Sequence, residues 1–268
     1  MKPYRILIIG LLLTAMSAQA QKIYIRGGLG AAVTTAADII GNYDETSDSS
    51  YQNSFKKRGL GSGLPFVLAA GYKLNANFGF ELGIDYFYGF LAKANWNTGM
   101  YSTEAKSNGQ MLSLVPAVFV AIPLDKIHPY ARLGLKLGVV NSVVTKVHEK
   151  SDWAQPADIE WIIKEYGGIA IGVQSALGAN YALNDNISLF GEIQLDGISY
   201  APKHGKFTEY TENGVDVMSS RSVRENNWDY VKSWTYPTSY PEDQPSKVMM
   251  VNQRFGNVGL IVGVKFNL

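Results

Sequence analysis

The chain has 268 residues, 46% of them hydrophobic and 18% charged, with 24 Lys and Arg against 23 Asp and Glu and no Cys. That apolar fraction is too high for a disordered polymer, and the length suits one or two domains. A net charge of +1 without a basic run offers nucleic acid no footprint, and the lack of Cys removes disulfides, thiolate metal sites, a thiol nucleophile and a cysteine-linked lipid anchor.

The first segment reads as an address. Lys2 and Arg5 precede an apolar run from Ile6 to Met16, and Ala18-Gln19-Ala20 closes it with a small-x-small pattern. This is the layout of a secretory leader over residues 1–20. A helix crossing a bilayer needs roughly 20 apolar residues, about twice this run. The mature chain is expected to begin at Gln21 and to be exported.

Beyond it the dominant period is two, the signature of strands. Residues 22–34 set Ile23, Ile25, Leu29, Ala31 and Val33 against Lys22, Tyr24, Arg26, Gly28 and Gly30. Residues 63–75 oppose Leu64, Phe66, Leu68, Ala70 and Tyr72 to Val67, Ala69, Gly71 and Lys73. Residues 77–90 alternate strictly, with Phe78, Phe80, Leu82, Ile84, Tyr86 and Tyr88 on one face and Gly79, Glu81, Gly83, Asp85 and Phe87 on the other. Residues 110–122 are apolar on both faces and contain Pro116, which predicts a bulge there. Residues 128–140 place Leu133, Leu135, Leu137 and Val139 opposite Arg132, Gly134, Lys136 and Gly138. Residues 168–182 alternate more loosely, Ile169, Ile171, Val173 and Leu177 against Gly172, Gln174 and Gly178. Residues 187–199 carry Leu189, Ile193 and Leu195 against Glu192, Gln194 and Asp196, and 257–268 carry Leu260, Val262, Val264, Phe266 and Leu268 against Gly259, Gly263 and Lys265.

These are eight strands joined by connections of two kinds. Those at 75–77, 123–127 and 183–186 are short; those at about 35–62, 91–109, 141–167 and 200–256 are long, and the two kinds alternate. Transmembrane barrels have tight turns at one rim, long loops at the other and an even strand number. A soluble barrel has no reason to lengthen every second connection. The less apolar face is also rich in Gly, which makes room inside a narrow barrel but does not solubilise a surface. On that face Glu81 and Asp85, Arg132 and Lys136, and Glu192 and Asp196 each lie four apart, about 13 Å along a strand at 3.3 Å per residue. Two levels of opposite charge are expected to meet across the lumen, joined by Arg26, Lys73 and Lys265 nearer the ends.

The leader, the strand spacing, Phe-Gly-Phe-Glu-Leu-Gly-Ile-Asp-Tyr and the closing Val-Gly-Leu-Ile-Val-Gly-Val-Lys-Phe-Asn-Leu together resemble the small eight-stranded outer-membrane β-barrels of Gram-negative bacteria, of the OmpA and OmpX transmembrane-domain type within the porin-like families. The resemblance spans residues 21–268 and implies an all-β, antiparallel up-and-down barrel in the outer membrane. The family commonly ends in an aromatic residue, whereas this chain ends in Leu268 with Phe266 on the same face. The cell-wall tethering of longer relatives is not implied.

For function, an eight-stranded lumen filled by ion pairs argues against an open porin. A structural or surface-interaction role is expected, with a small-solute channel or a soluble secreted ligand-binding barrel as the alternatives. The last long connection holds Trp228, Tyr230, Trp234, Tyr236 and Tyr240, candidates for contact with an extracellular protein or glycan. An enzyme is disfavoured: His128, His148 and His204 stand in no catalytic constellation, and no Gly-x-Ser-x-Gly is present. Asp38, Asp44, Glu45 and Asp48 lack the spacing of an EF-hand, and Gly59-Leu60-Gly61-Ser62-Gly63 lacks the Lys of a phosphate loop. No metal or cofactor is expected, and the partners are membrane lipid and a loop ligand for a monomeric barrel.

Overall fold

A computed structural model describes residues 22–35, 38–46, 50–97, 101–152, 156–233, 235 and 241–268; side chains of 38–46 and 50–58 are outside the description, as is the expected leader at 1–20. Eight strands form the barrel: β1 (Ile23–Thr34), β2 (Gly63–Lys73), β3 (Phe78–Gly89), β4 (Tyr101–Ala121), β5 (Ile127–Ser151), β6 (Ala170–Ala182), β7 (Ile187–Tyr200) and β8 (Asn257–Asn267). Each runs antiparallel to its neighbours in chain order. β8 returns to pair with β1, Gly28 opposite Gly263 and Leu29 opposite Val262, so the cylinder has no open edge. Closure is what hydrocarbon demands, because a strand edge in lipid would leave its N–H and C=O groups without partners.

The faces decide which solvent surrounds the barrel. Leu133, Leu135, Leu260 and Val262 are 59%, 56%, 60% and 54% exposed, while Arg26, Glu81, Asp85, Arg132, Lys136, Glu192 and Asp196 are buried. A soluble barrel is the reverse of this, with apolar side chains inside and charges outside. The soluble alternative therefore fails on the direction of the side chains.

Short turns close one end. In two of them an Asn caps the reversal: Asn75 Oδ1 accepts from the Asn77 and Phe78 N–H groups at 2.9 and 2.8 Å, and Asn184 Oδ1 accepts from Asn186 and Ile187 at 3.0 and 2.8 Å. Such Asn side chains imitate a backbone turn and fix a tight hairpin. The glycines of the lumen face let large side chains lie flat on the wall. A Cβ on Gly71 would collide with the Tyr24 ring, and one on Gly79 with the Phe119 ring.

Two features depart from the periodic reading. The expected bulge at Pro116 is absent: Pro116 sits opposite Leu82 in unbroken register with β3, and the pairs Leu114–Leu137 and Ala117–Gly134 keep one register on either side of it. Only the ladder to β5 lacks pairings at Val115 and Pro116, so the missing proline N–H is absorbed without an extra residue. The bulge lies instead in β5, where Leu112 pairs with Val140 and Ser113 with Gly138, leaving Val139 as the extra residue. Val139 and Val140 consequently both face outward, and Asn141 turns in.

The second departure concerns the far end, where much of the long connections is strand. Ala92–Asn97 pairs with Ser102–Ser107 of β4, Ala157–Tyr166 pairs with Ser142–Ser151 of β5, and His204–Glu212 pairs with Ala157–Tyr166. The sheet thus continues beyond the apolar belt. One face of this extension buries Ala94, Ala105 and Val147 under Trp96 and Trp161, while Lys146, His148 and Lys150 alternate with them on the other face. Gly167 and Gly168, at φ of 73° and 75°, make the left-handed turn that leads from this extension into β6.

Candidate functional site

Odd-numbered strands supply the charges of the middle of the lumen and even-numbered strands mainly small or neutral side chains there, with Lys73 of β2 and Lys265 of β8 at the short-turn end. Arg26 comes from β1, Glu81 and Asp85 from β3, Arg132 and Lys136 from β5, and Glu192 and Asp196 from β7. Opposite them stand Ala69 and Gly71 of β2, Ala117 of β4, Gln174 and Ala176 of β6, and Gly259 and Gly263 of β8. Alternation of this kind fits long side chains into an interior only wide enough for side chains.

The charges meet in two levels. In the first, nearer the short turns, the Arg26 guanidinium lies 2.8 Å from Glu81 and 3.1 Å from Glu192, and Arg132 lies 2.7 Å from Glu192 and 3.6 Å from Glu81. Tyr24 and Tyr130 add hydroxyl donors to Glu81 at 2.9 Å and Glu192 at 2.7 Å. In the second, Lys136 Nζ lies 2.6 Å from Asp196 and 3.3 Å from Asp85. Gln174 links the levels, accepting from Arg132 and donating to Asp85 at 2.6 Å, while Gln194 donates to Asp196 at 3.1 and 3.2 Å. The first level balances two cations with two anions; each charge is buried and hydrogen-bonded, the condition under which burial of charge is tolerated.

Of the nine charged residues expected in one network, seven come together and two do not. Arg26 is a full member of the first level rather than a link near the rim. Lys73 and Lys265 point into the short-turn mouth: Lys73 Nζ donates to Asn267 Oδ1 at 3.2 Å, and Lys265 Nζ lies 3.8 Å from the centre of the Tyr24 ring. Each sits one or two side-chain layers short of the carboxylates, which period two alone does not reveal.

Above the second level is an apolar layer of Phe87, Met111, Val143, Ile198 and Tyr200, completed from the connections by Leu60 and Phe255. Phe255 is 1% exposed and makes edge contacts with Phe87 at 6.4 Å and Tyr200 at 6.1 Å. The two connections are tied by backbone bonds, Leu60 N–H to the Arg254 carbonyl at 3.4 Å and Thr35 N–H to Gly256 at 3.0 Å. Phe255 lies two residues before β8, between Arg254 and Gly256, outside any alternating stretch that would mark it as core.

Of the expected loop aromatics, Trp234, Tyr236 and Tyr240 lie outside the described residues. Trp228 and Tyr230 are half-buried in the strand Asn227–Val231: Trp228 packs 5.4 Å from Phe207, and Tyr230 donates to Glu165. Burial and the nearby carboxylate hold the Tyr230 hydroxyl above the usual tyrosine range. A second aromatic cluster is likewise half-buried. Trp161 stacks on Tyr210 at 5.8 Å and 11°, and the Arg221 guanidinium lies 4.1 Å from the Tyr210 ring centre. Trp161 and Tyr210 occupy paired positions on neighbouring strands, which only the register brings together.

The histidines are divided. His128 lines the short-turn mouth, His148 Nε2 lies 2.7 Å from Asp158, and His204 Nδ1 lies 2.6 Å from Asp229. The side chains of Asp38, Asp44, Glu45 and Asp48 are outside the description.

With the barrel and its lining in view, comparison with known proteins is decisive. The family described as outer membrane protein beta-barrel domain matches residues 6–220. The chain belongs to this family. It is an outer-membrane protein of the Gram-negative envelope, and β8, beyond the matched residues, completes the cylinder. Short turns of such barrels face the periplasm and long connections face outward, which sets the mouth with Lys73 and Lys265 on the periplasmic side. Similar solved structures include OprG from Pseudomonas aeruginosa, at 13% identity and a TM-score of 0.43 over 92% of this chain and 95% of that one. Neisserial surface protein A shares 11% identity at a TM-score of 0.37, over 92% of this chain and 97% of that chain. The E. coli outer membrane protein W shares 12% at 0.36, over 92% and 98%. Among curated proteins, none matches the sequence.

Proposed function

We propose that this protein is a closed outer-membrane barrel that acts through its extracellular sheet as a structural or surface-interaction protein, and that it is neither an open porin nor an enzyme. The observation that carries this reading is the stack of seals along the barrel axis: the four-charge level, the Lys136 level, and the apolar layer closed by Leu60 and Phe255. A hydrated solute would have to separate buried ion pairs and then displace an aromatic ring. The sheet extension outside the membrane carries the half-buried stack of Trp161, Tyr210 and Arg221, whose ring edges and guanidinium suit contact with a sugar or a protein side chain.

The test is ion conductance across a planar lipid bilayer containing protein purified from outer membranes. Wild type is expected to be silent, whereas Phe255→Ala with Glu192→Gln is expected to conduct in brief steps. Sustained wild-type steps of porin size would overturn the closed-lumen reading.

A further inference from the structure

The periplasmic mouth of the lumen is a cavity of about 540 Å³, within the size of small-molecule sites. Its floor is the balanced level of Arg26, Arg132, Glu81 and Glu192, so those charges cancel. Lys265 and Lys73 line the walls above that floor, and among the described residues neither has a carboxylate at salt-bridge distance. Lys265 is 9% exposed, and among the described residues its ammonium rests on the face of Tyr24. A lysine ammonium that is nearly buried, lies against an aromatic face and borders the cavity has no anion of the barrel wall to compensate it among the described residues, so its charged form is favoured by an anion brought into the cavity. Buried Asn180 and Ser188 and the ring of Phe119 line the same space, which combines hydrogen-bonding groups with an apolar wall. Asp125 and Asp185 also line the cavity, but they stand on the exposed rim turns beside Lys126.

We propose that this mouth binds a small organic anion from the periplasm, its carboxylate or phosphate head between Lys265 and Lys73 and its body against Tyr24 and Phe119. The site is independent of the extracellular sheet and needs no opening of the lumen. The anion supplies the charge that the barrel wall withholds, and the closed level beneath gives the cavity a floor.

The test uses isotope-labelled protein purified from outer membranes into an uncharged maltoside detergent and read by backbone amide resonances. Benzoate and phenyl phosphate are the probes, and benzyl alcohol is the neutral control. The shifts of Tyr24, Lys73, Ser188 and Lys265 are expected to saturate with at least one anion, the better of the two distinguishing a carboxylate from a phosphate site. Benzyl alcohol is expected to leave them in place. Lys265→Met is expected to weaken the anion by about tenfold or more, the loss of one charge-assisted hydrogen bond. Lys73→Gln makes the same comparison if Lys265→Met does not yield a folded barrel. The proposal fails if neither anion saturates by about 10 mM, a dissociation constant too weak for a built site. It fails equally if the alcohol moves the same resonances or if the folded variants bind as wild type does.

Discussion

Glu192→Gln interrogates the lumen most sharply, because one carboxylate there faces two guanidinium groups. The change preserves volume and an acceptor oxygen while removing the charge that lies 3.1 Å from Arg26 and 2.7 Å from Arg132. Unit charges whose centres are about 4 Å apart attract by about 4 kcal/mol at an effective dielectric of 20. The amide recovers part of this as a neutral acceptor, and Glu81 still pairs with Arg26. The expected net cost is about 3–5 kcal/mol, the range found when one partner of a buried ion pair is removed. Adding Arg132→Met removes the stranded cation, so the double variant is expected to cost less than the sum of the singles by about 1.5 kcal/mol or more. Equilibrium urea unfolding from lipid vesicles, followed by tryptophan fluorescence and by the mobility of unheated samples on gels, measures each corner of the cycle. A single-variant cost below about 1 kcal/mol, the value of a surface pair, would refute the buried-quartet reasoning. Strict additivity of the two changes would do the same.

Two further outcomes are expected. Leu135→Arg on the lipid face should lower stability in vesicles by about 2–4 kcal/mol if the residue lies near the bilayer midplane, whereas the adjacent Lys136→Met should destabilise from inside by leaving Asp85 and Asp196 unpaired; a harmless arginine at 135 would invert the face assignment. Outside the membrane, the hydrogen bond from His148 holds the Asp158 carboxyl below its ordinary value of 3.8. A depressed folded-state value stabilises the charged form, so this contribution is present above that ordinary value and is lost as pH falls through the lowered one. The protection factors of amides in the strand Ala157–Tyr166 should therefore fall on acidification below about pH 4, and His148→Ala should reduce that pH dependence, leaving the part due to Lys150 and to the Glu160–Lys146 pair; an unchanged profile in the variant would dissociate the pair from the strand.

Strand number, the alternation of short and long connections, and the face to which each charge belongs were legible from period two, because a residue on a lipid-facing pleat must be apolar and its neighbours must turn inward. Phe78 to Phe87 shows this in a single segment. The choice of lipid over a protein core for the apolar face was also legible, from glycines that could serve only a crowded interior. Other features were not local. Pro116 carries the residue type of a bulge, yet the extra residue is Val139, and the shift it introduces turns Asn141 inward. Trp161 meets Tyr210 only through the register of two strands separated by some fifty residues of chain. Arg26 and Lys265 are cross-strand partners, yet Arg26 reaches Glu81 and Glu192 while Lys265 turns onto Tyr24, a difference that only the packed interior shows. Alternation along a strand tells which side a residue faces; closure decides whom it meets there.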